Sequence, residues 1–77
     1  MLIYSIKNRL FIHSKTIIHV GHVDIIKDNK KLLRYKLTNT DFFSCMPDLS
    51  PDYYTVSIYS EKGKVEEKRV FLSNDYI

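Results

Sequence analysis

The chain has 77 residues, a formal net charge of +3 and one cysteine. A chain this short hides only about 60% of the surface its unfolded form exposes, so one small, well-filled core and a single domain over residues 1–77 are expected. Hydrophobic residues at 44%, with two glycines and two prolines, argue against a disordered tail. The mild basic balance falls short of the concentrated charge of a dedicated nucleic-acid binder, and Cys45 alone excludes an internal disulfide and suits a reducing compartment.

The N-terminus, "MLIYSIKNRLFIHSK", has four largely apolar residues and then meets Lys7 and Arg9. A signal peptide needs a basic start and a long apolar run, and neither is present. No segment approaches the roughly 20 apolar residues that span a bilayer, so no membrane insertion is expected. Taken alone, the chain is expected in the cytoplasm. As the terminal domain of a larger cargo it would be exported.

Along the chain the hydrophobic period is two. In "KLLRYKL" Leu33, Tyr35 and Leu37 fall on one side, with Leu32, Arg34 and Lys36 on the other. In "YYTVSIYS" Tyr54, Val56 and Ile58 share a face opposite Tyr53, Thr55, Ser57 and Tyr59. Such alternation, with β-branched and aromatic residues, predicts half-buried strands. The predicted strands are 2–6, 9–13, 16–20, 22–27, 31–37, 40–46, 53–60 and 65–72, with neighbours merging to leave six or seven; no long helix is predicted. Asn8 breaks the first pair, Gly21 permits a kink or bulge, "KDNK" at 27–30 supplies a tight turn, and Gly63 in "EKGK" suits a positive φ. "MPDLSP" at 46–51 is the longest stretch outside strands. Short strands at this spacing predict an all-β sandwich or barrel.

Two stretches carry a family resemblance. "NRLFIHSKTIIHVGHVDIIKDNKKLLRYKL" (8–37) resembles the first half of the C-terminal sorting domains of the bacterial type IX secretion system, in which an "L-x-I" strand precedes "V-x-I-Y-D-x-x-G-K-x-V". Leu10 and Ile12, then Val23, Ile25, Ile26, Asn29, Lys31 and Leu33, occupy those places. "DLSPDYYTVSIYSEKGKVEEKRVFL" (48–72) is similar to the family's "L-P-x-G-x-Y-x-V-x-I-x-x-x-x-G-K-x-x-x-K-K", through Leu49, Tyr54, Val56, Ile58, Gly63, Lys64, Lys68 and Arg69. Related small immunoglobulin-like sandwiches of gut bacteria share the outline. The family's turn glycines are replaced here by Lys30 and Asp52, and a lysine in a left-handed turn carries a steric cost. The resemblance implies an immunoglobulin-like antiparallel β-sandwich of about seven strands. It also implies recognition by export machinery, with Lys68, Arg69 and the tail "SNDYI" in the contact.

No catalytic motif is present. "HVGH" places His19 and His22 an odd number of positions apart, hence on opposite faces of a strand, and with His13 they read as surface or rim histidines. Cys45 lies in apolar "FFSCMP" without a nearby cation and reads as an inert thiol. Asp24 and Asp28, or Glu66 and Glu67, do not form a catalytic carboxylate pair. No metal or cofactor is expected, and the chain is expected not to be an enzyme.

The basic cluster Lys27, Lys30, Lys31, Arg34 and Lys36 has Asp28 as its only acid, and Arg34 and Lys36 share a face. The simpler assignment is a solvated sheet face with lysines guarding an edge; the functional one is contact with an acidic partner, a protein or a nucleoprotein. Nucleic-acid stacking would need exposed aromatics beside the cluster, and the nearest, Tyr35, alternates inward. Tyr54, Tyr35, Phe11 and Phe71 are assigned to the core, while Tyr53 and Tyr59 are free to anchor a protein interface. The expected function is therefore non-enzymatic protein binding through Lys30, Lys31, Arg34, Lys36, Tyr53, Tyr59, Lys68 and Arg69. A sorting domain is the first form of it. A free-standing small binder or inhibitor of the phage or mobile-element kind is the second.

Overall fold

The computed structural model describes residues 1–73. It is all-β, with strands β1 (Leu2–Ile6), β2 (Arg9–Lys27), β3 (Lys30–Cys45), β4 (Asp52–Ser60) and β5 (Gly63–Leu72). All pairings are antiparallel, and the strands form one sheet in the order β1-β2-β4-β5, with β3 along the other edge of β2. The sheet curls into a half-barrel. Where six or seven strands in a two-layer, immunoglobulin-like sandwich are expected, the described residues form five in one curled sheet.

The difference in count has a local cause. Residues 9–27, predicted as three pieces, form a single 19-residue strand. Leu10, Ile12 and Ile18 are buried at even positions, whereas Val23 and Ile25 are buried at odd ones, so the alternation changes parity within the strand. Between the pairs His13↔Phe42 and Ile18↔Thr40, four residues of β2 oppose one of β3. A bulge of this kind bends a strand without ending it. The predicted break near residue 39 is likewise absorbed: β3 runs through Asn39, which takes φ 47°.

The bend produces the curl. Residues 9–13 of β2 pair with β1, and residues 22–26 pair with β4 along the same edge. Bending between them swings β1 towards β5, where Lys68 Nζ donates to the Ile3 carbonyl at 2.8 Å and Ser5 Oγ to the Phe71 carbonyl at 2.6 Å. Gly21 lies at the inner corner. A Cβ built there would stand 2.0 Å from the Tyr59 carbonyl oxygen and 2.8 Å from an Ile18 methyl, so only glycine lets β4 approach.

The tight turns match their chemistry. Asp28 (φ 53°) and Asn29 (φ 64°) both take left-handed conformations between the paired residues Lys27 and Lys30, as the favoured two-residue hairpin requires. Lys30 itself is not left-handed and escapes the strain expected of it. Gly63 has φ 110°. At the first turn Lys7, not a glycine or asparagine, takes φ 57°.

The concave side holds the core: Ile3, Leu10, Ile12, Ile18, Val23, Ile25, Leu37, Tyr54, Val56, Ile58, Val70 and Leu72. Each fully buried aliphatic chain contributes about 1.5–3 kcal/mol of transfer free energy. Leu33, Tyr35 and Phe43 pack against this cluster half-buried. Two aromatic assignments need correction. Phe11 lies on the other face of β2, stacked on Tyr4 at 5.1 Å, and Phe71 is exposed, meeting Tyr53 edge-on at 5.0 Å. Phe11 alternates with inward Leu10 and Ile12, and Phe71 with inward Val70 and Leu72, so the pleat sends both outward.

Candidate functional site

The outer, convex side of β2, β3, β4 and β5 is a polar and aromatic face built by strand register. One row runs Arg34–Asp24–Ser57–Glu67 across the four strands. The next runs Lys36–His22–Tyr59–Lys64, and flanking positions contribute Lys31, Arg69, Tyr53 and Phe71.

Asp24 organises this face. It alternates outward between buried Val23 and Ile25, yet it has no exposed surface, because longer neighbours lie over it. Arg34 grips the carboxylate in a two-pronged bond, Nε to Oδ1 at 2.7 Å and Nη2 to Oδ2 at 3.0 Å. Lys31 Nζ stands 3.6 Å and His22 Nε2 3.7 Å from Oδ2. The Arg34 hydrogen bonds outweigh the opposing effect of burial and hold the Asp24 carboxyl below its usual range. The paired Arg34 is pushed up in turn. Such a planar pairing fixes the guanidinium in place as well as neutralising it.

Ser57 is the other fully buried polar residue among the described residues and donates from Oγ to Glu67 Oε1 at 2.8 Å, where Lys64 Nζ also donates at 2.9 Å. These two hydrogen bonds, that of Lys64 first, lower the Glu67 pKa. His22 stacks on Tyr59 at 4.6 Å and Lys64 stands 5.9 Å above the same ring. The Arg69 guanidinium covers the Tyr53 ring at 4.7 Å, so Tyr53 is held by a cation on its face and by Phe71 at its edge.

The sequence-predicted contact residues thus divide. Lys31, Arg34, Lys36, Tyr53, Tyr59 and Arg69 share the outer face; Lys30 sits at the β2–β3 turn beside it. Lys68 alternates to the opposite side from Arg69, with its ammonium on the β1 backbone. Of the tail, residues 74–77 lie outside the described residues. Asp24, His22, Ser57, Lys64 and Glu67 are not among the contact residues the sequence predicts. Asp24 carries the one local signal, a carboxylate inside the apolar run "HVDII". The others depend on which strands become neighbours.

The histidines do not converge. His13 lies 3.2 Å from the Tyr4 hydroxyl, His19 Nδ1 lies 3.0 Å from Asn39 Oδ1, and His22 stands over Asp24 and Tyr59. Among the described residues no group of three metal-binding side chains occurs. Burial pushes the Cys45 thiol up to about 11 and, chiefly for the same reason, the Tyr35 phenol up to about 12. Both are therefore uncharged near neutral pH, and Cys45 is a poor nucleophile. No family model matches the chain, and neither a curated protein nor a solved structure matches it at a significant level.

Proposed function

We propose that the chain is a non-enzymatic protein-binding module whose contact surface is the outer face of β2–β5. One observation carries the reading: among the described residues, strand register gathers five cations, Lys31, Arg34, Lys36, Lys64 and Arg69, with Tyr53 and Tyr59 around two carboxylates. Tyrosine and arginine dominate the energetics of protein interfaces because they present large, rigid contact areas with polar tips. The cationic excess selects a partner with an acidic surface.

The resemblance to type IX sorting domains makes export machinery the first partner to test. Tyr54, whose hydroxyl donates to the Ser50 carbonyl four residues upstream at 2.5 Å, ties the 46–51 corner to the start of β4. Because Lys68 braces β1, the informative variants on an exported fusion are Arg69→Ala and Tyr59→Ala, each checked for folding by circular dichroism. Loss of export with retained folding supports the sorting role, and full export of the double variant rejects it. The second reading, a free-standing binder or inhibitor acting on an acidic protein or nucleoprotein, is favoured by the same cationic excess. It predicts stoichiometric capture of one cytosolic partner that both substitutions abolish.

A further inference from the structure

β3 pairs with β2 alone, so its second edge carries no strand among the described residues. The distal part of that edge is blunted. Asn39 is left-handed, and Thr40 Oγ1 donates to the Phe42 carbonyl at 2.7 Å while accepting from the Phe42 amide at 3.2 Å. Residues 33–38 carry neither device and pair with β2 in unbroken register. They therefore offer a regular row of backbone donors and acceptors, the feature that recruits an added strand.

We infer that this edge takes an extended segment of a partner protein alternating acidic and apolar residues, which adds beside β3 as a further strand. The inference rests on the reading of the chain as a protein-binding module and names the partner's chemistry. Two observations specify the alternation. On the inner side the edge presents half-buried Leu33 and Tyr35, which apolar side chains would cover. On the outer side it presents Arg34 and Lys36, with Lys31 nearby, which carboxylates would face. Lys36 makes no ion pair among the described residues and is the cation most available. A second copy of the chain fits less well. Antiparallel self-pairing centred on Tyr35 would set Arg34 against Lys36 twice, and like charges directly opposite are destabilising.

The probe is a synthetic peptide, fluorescein-β-alanyl-EVEIEVE-amide, followed by fluorescence anisotropy at low salt. Saturable binding is expected, with affinity lower by about tenfold or more for the lysine-substituted peptide and for Lys36→Glu protein, equivalent to about 1.4 kcal/mol. Two further peptides are N-methylated on alternate amides. Strand addition predicts that one register abolishes binding and the other leaves it intact, with slowed amide exchange on alternate residues of 33–38. Binding that survives both methylated registers, or no binding of the acidic peptide at all, overturns the inference. A dimer with protected β3 amides also overturns it, by assigning the edge to a second copy. Binding indifferent to methylation but lost with Lys36→Glu or Tyr59→Ala would leave the outer-face reading standing. Indifference to all of these changes would sink both.

Discussion

Replacing Arg34 by Met tests the role given to Asp24 most directly, because methionine keeps an unbranched apolar stem and deletes only the guanidinium. Breaking a fully buried ion pair by removing one partner costs about 3–5 kcal/mol. Here Asp24 is completely covered while the Arg34 side chain is 49% exposed, and Lys31 remains 3.6 Å away, so solvent and the second cation reduce the loss. About 2 kcal/mol is expected at neutral pH, equivalent to a fall in Tm of about 8–16 °C for a domain of this size. The sign of the pH dependence follows from the lowered Asp24 pKa. A carboxyl depressed in the folded state adds stability above its unfolded pKa of about 3.9, and that stability is lost as pH falls through the folded value. The gap between the parent and Arg34→Met should therefore be largest above pH 5 and close progressively as pH falls below about 4. Urea melts at a series of pH values give both quantities. A gap independent of pH, or an Arg34→Met protein as stable as the parent at pH 7, would refute the claim that this pair holds the outer face together.

Three further outcomes follow from the backbone and the core. Gly21→Ala forces a Cβ against the Tyr59 carbonyl, a backbone group that cannot swing aside, and should cost about 3 kcal/mol or prevent folding, read by urea denaturation. Lys7→Gly removes a side chain from a left-handed position and should stabilise by about 0.5–1 kcal/mol once the extra freedom of glycine in the unfolded chain is subtracted, read the same way. With the Cys45 thiol raised from 9.0 to about 11, its thiolate fraction at pH 7.5 falls about hundredfold. Iodoacetamide should accordingly label the native protein far more slowly than the urea-unfolded chain, and equal rates would contradict the burial of this thiol.

What the sequence disclosed was what period two and turn chemistry encode. The faces of β4 were legible because Tyr54, Val56 and Ile58 alternate without interruption against Tyr53, Thr55, Ser57 and Tyr59, and all of the first set are buried. The Asp28–Asn29 turn was legible because those residues tolerate left-handed backbone. Strand number was not. A parity change looks the same in sequence whether a strand ends or runs on, and only the pairing of β2 with β3 from Ile18↔Thr40 to Lys27↔Lys30 shows that it runs on. The composition of the outer face was half legible. Arg34 and Lys36 were placed together by spacing within one strand, but Tyr59 joins them only because β2 lies between β3 and β4, a fact of register across residues far apart in the chain.

Asp24 also divides labour among the cations in a way that affinity measurements can detect. Arg34, bonded through two nitrogens to a buried carboxylate, has its charge largely met from within, and a partner's acidic group approaching it must compete with Asp24. Lys68 is occupied by the Ile3 carbonyl, and Lys64 by Glu67. Lys30 and Lys36 have no such ties among the described residues. Recognition of an acidic partner should therefore fall mainly on Lys36, Lys30 and Arg69, the last held only over the Tyr53 ring, with Arg34 acting through the shape of the face. Lys36→Ala should weaken binding while leaving Tm within about 0.5 kcal/mol equivalent of the parent, as is usual for an untied surface residue. Arg34→Met should lower Tm first and affinity only as the face loses its order.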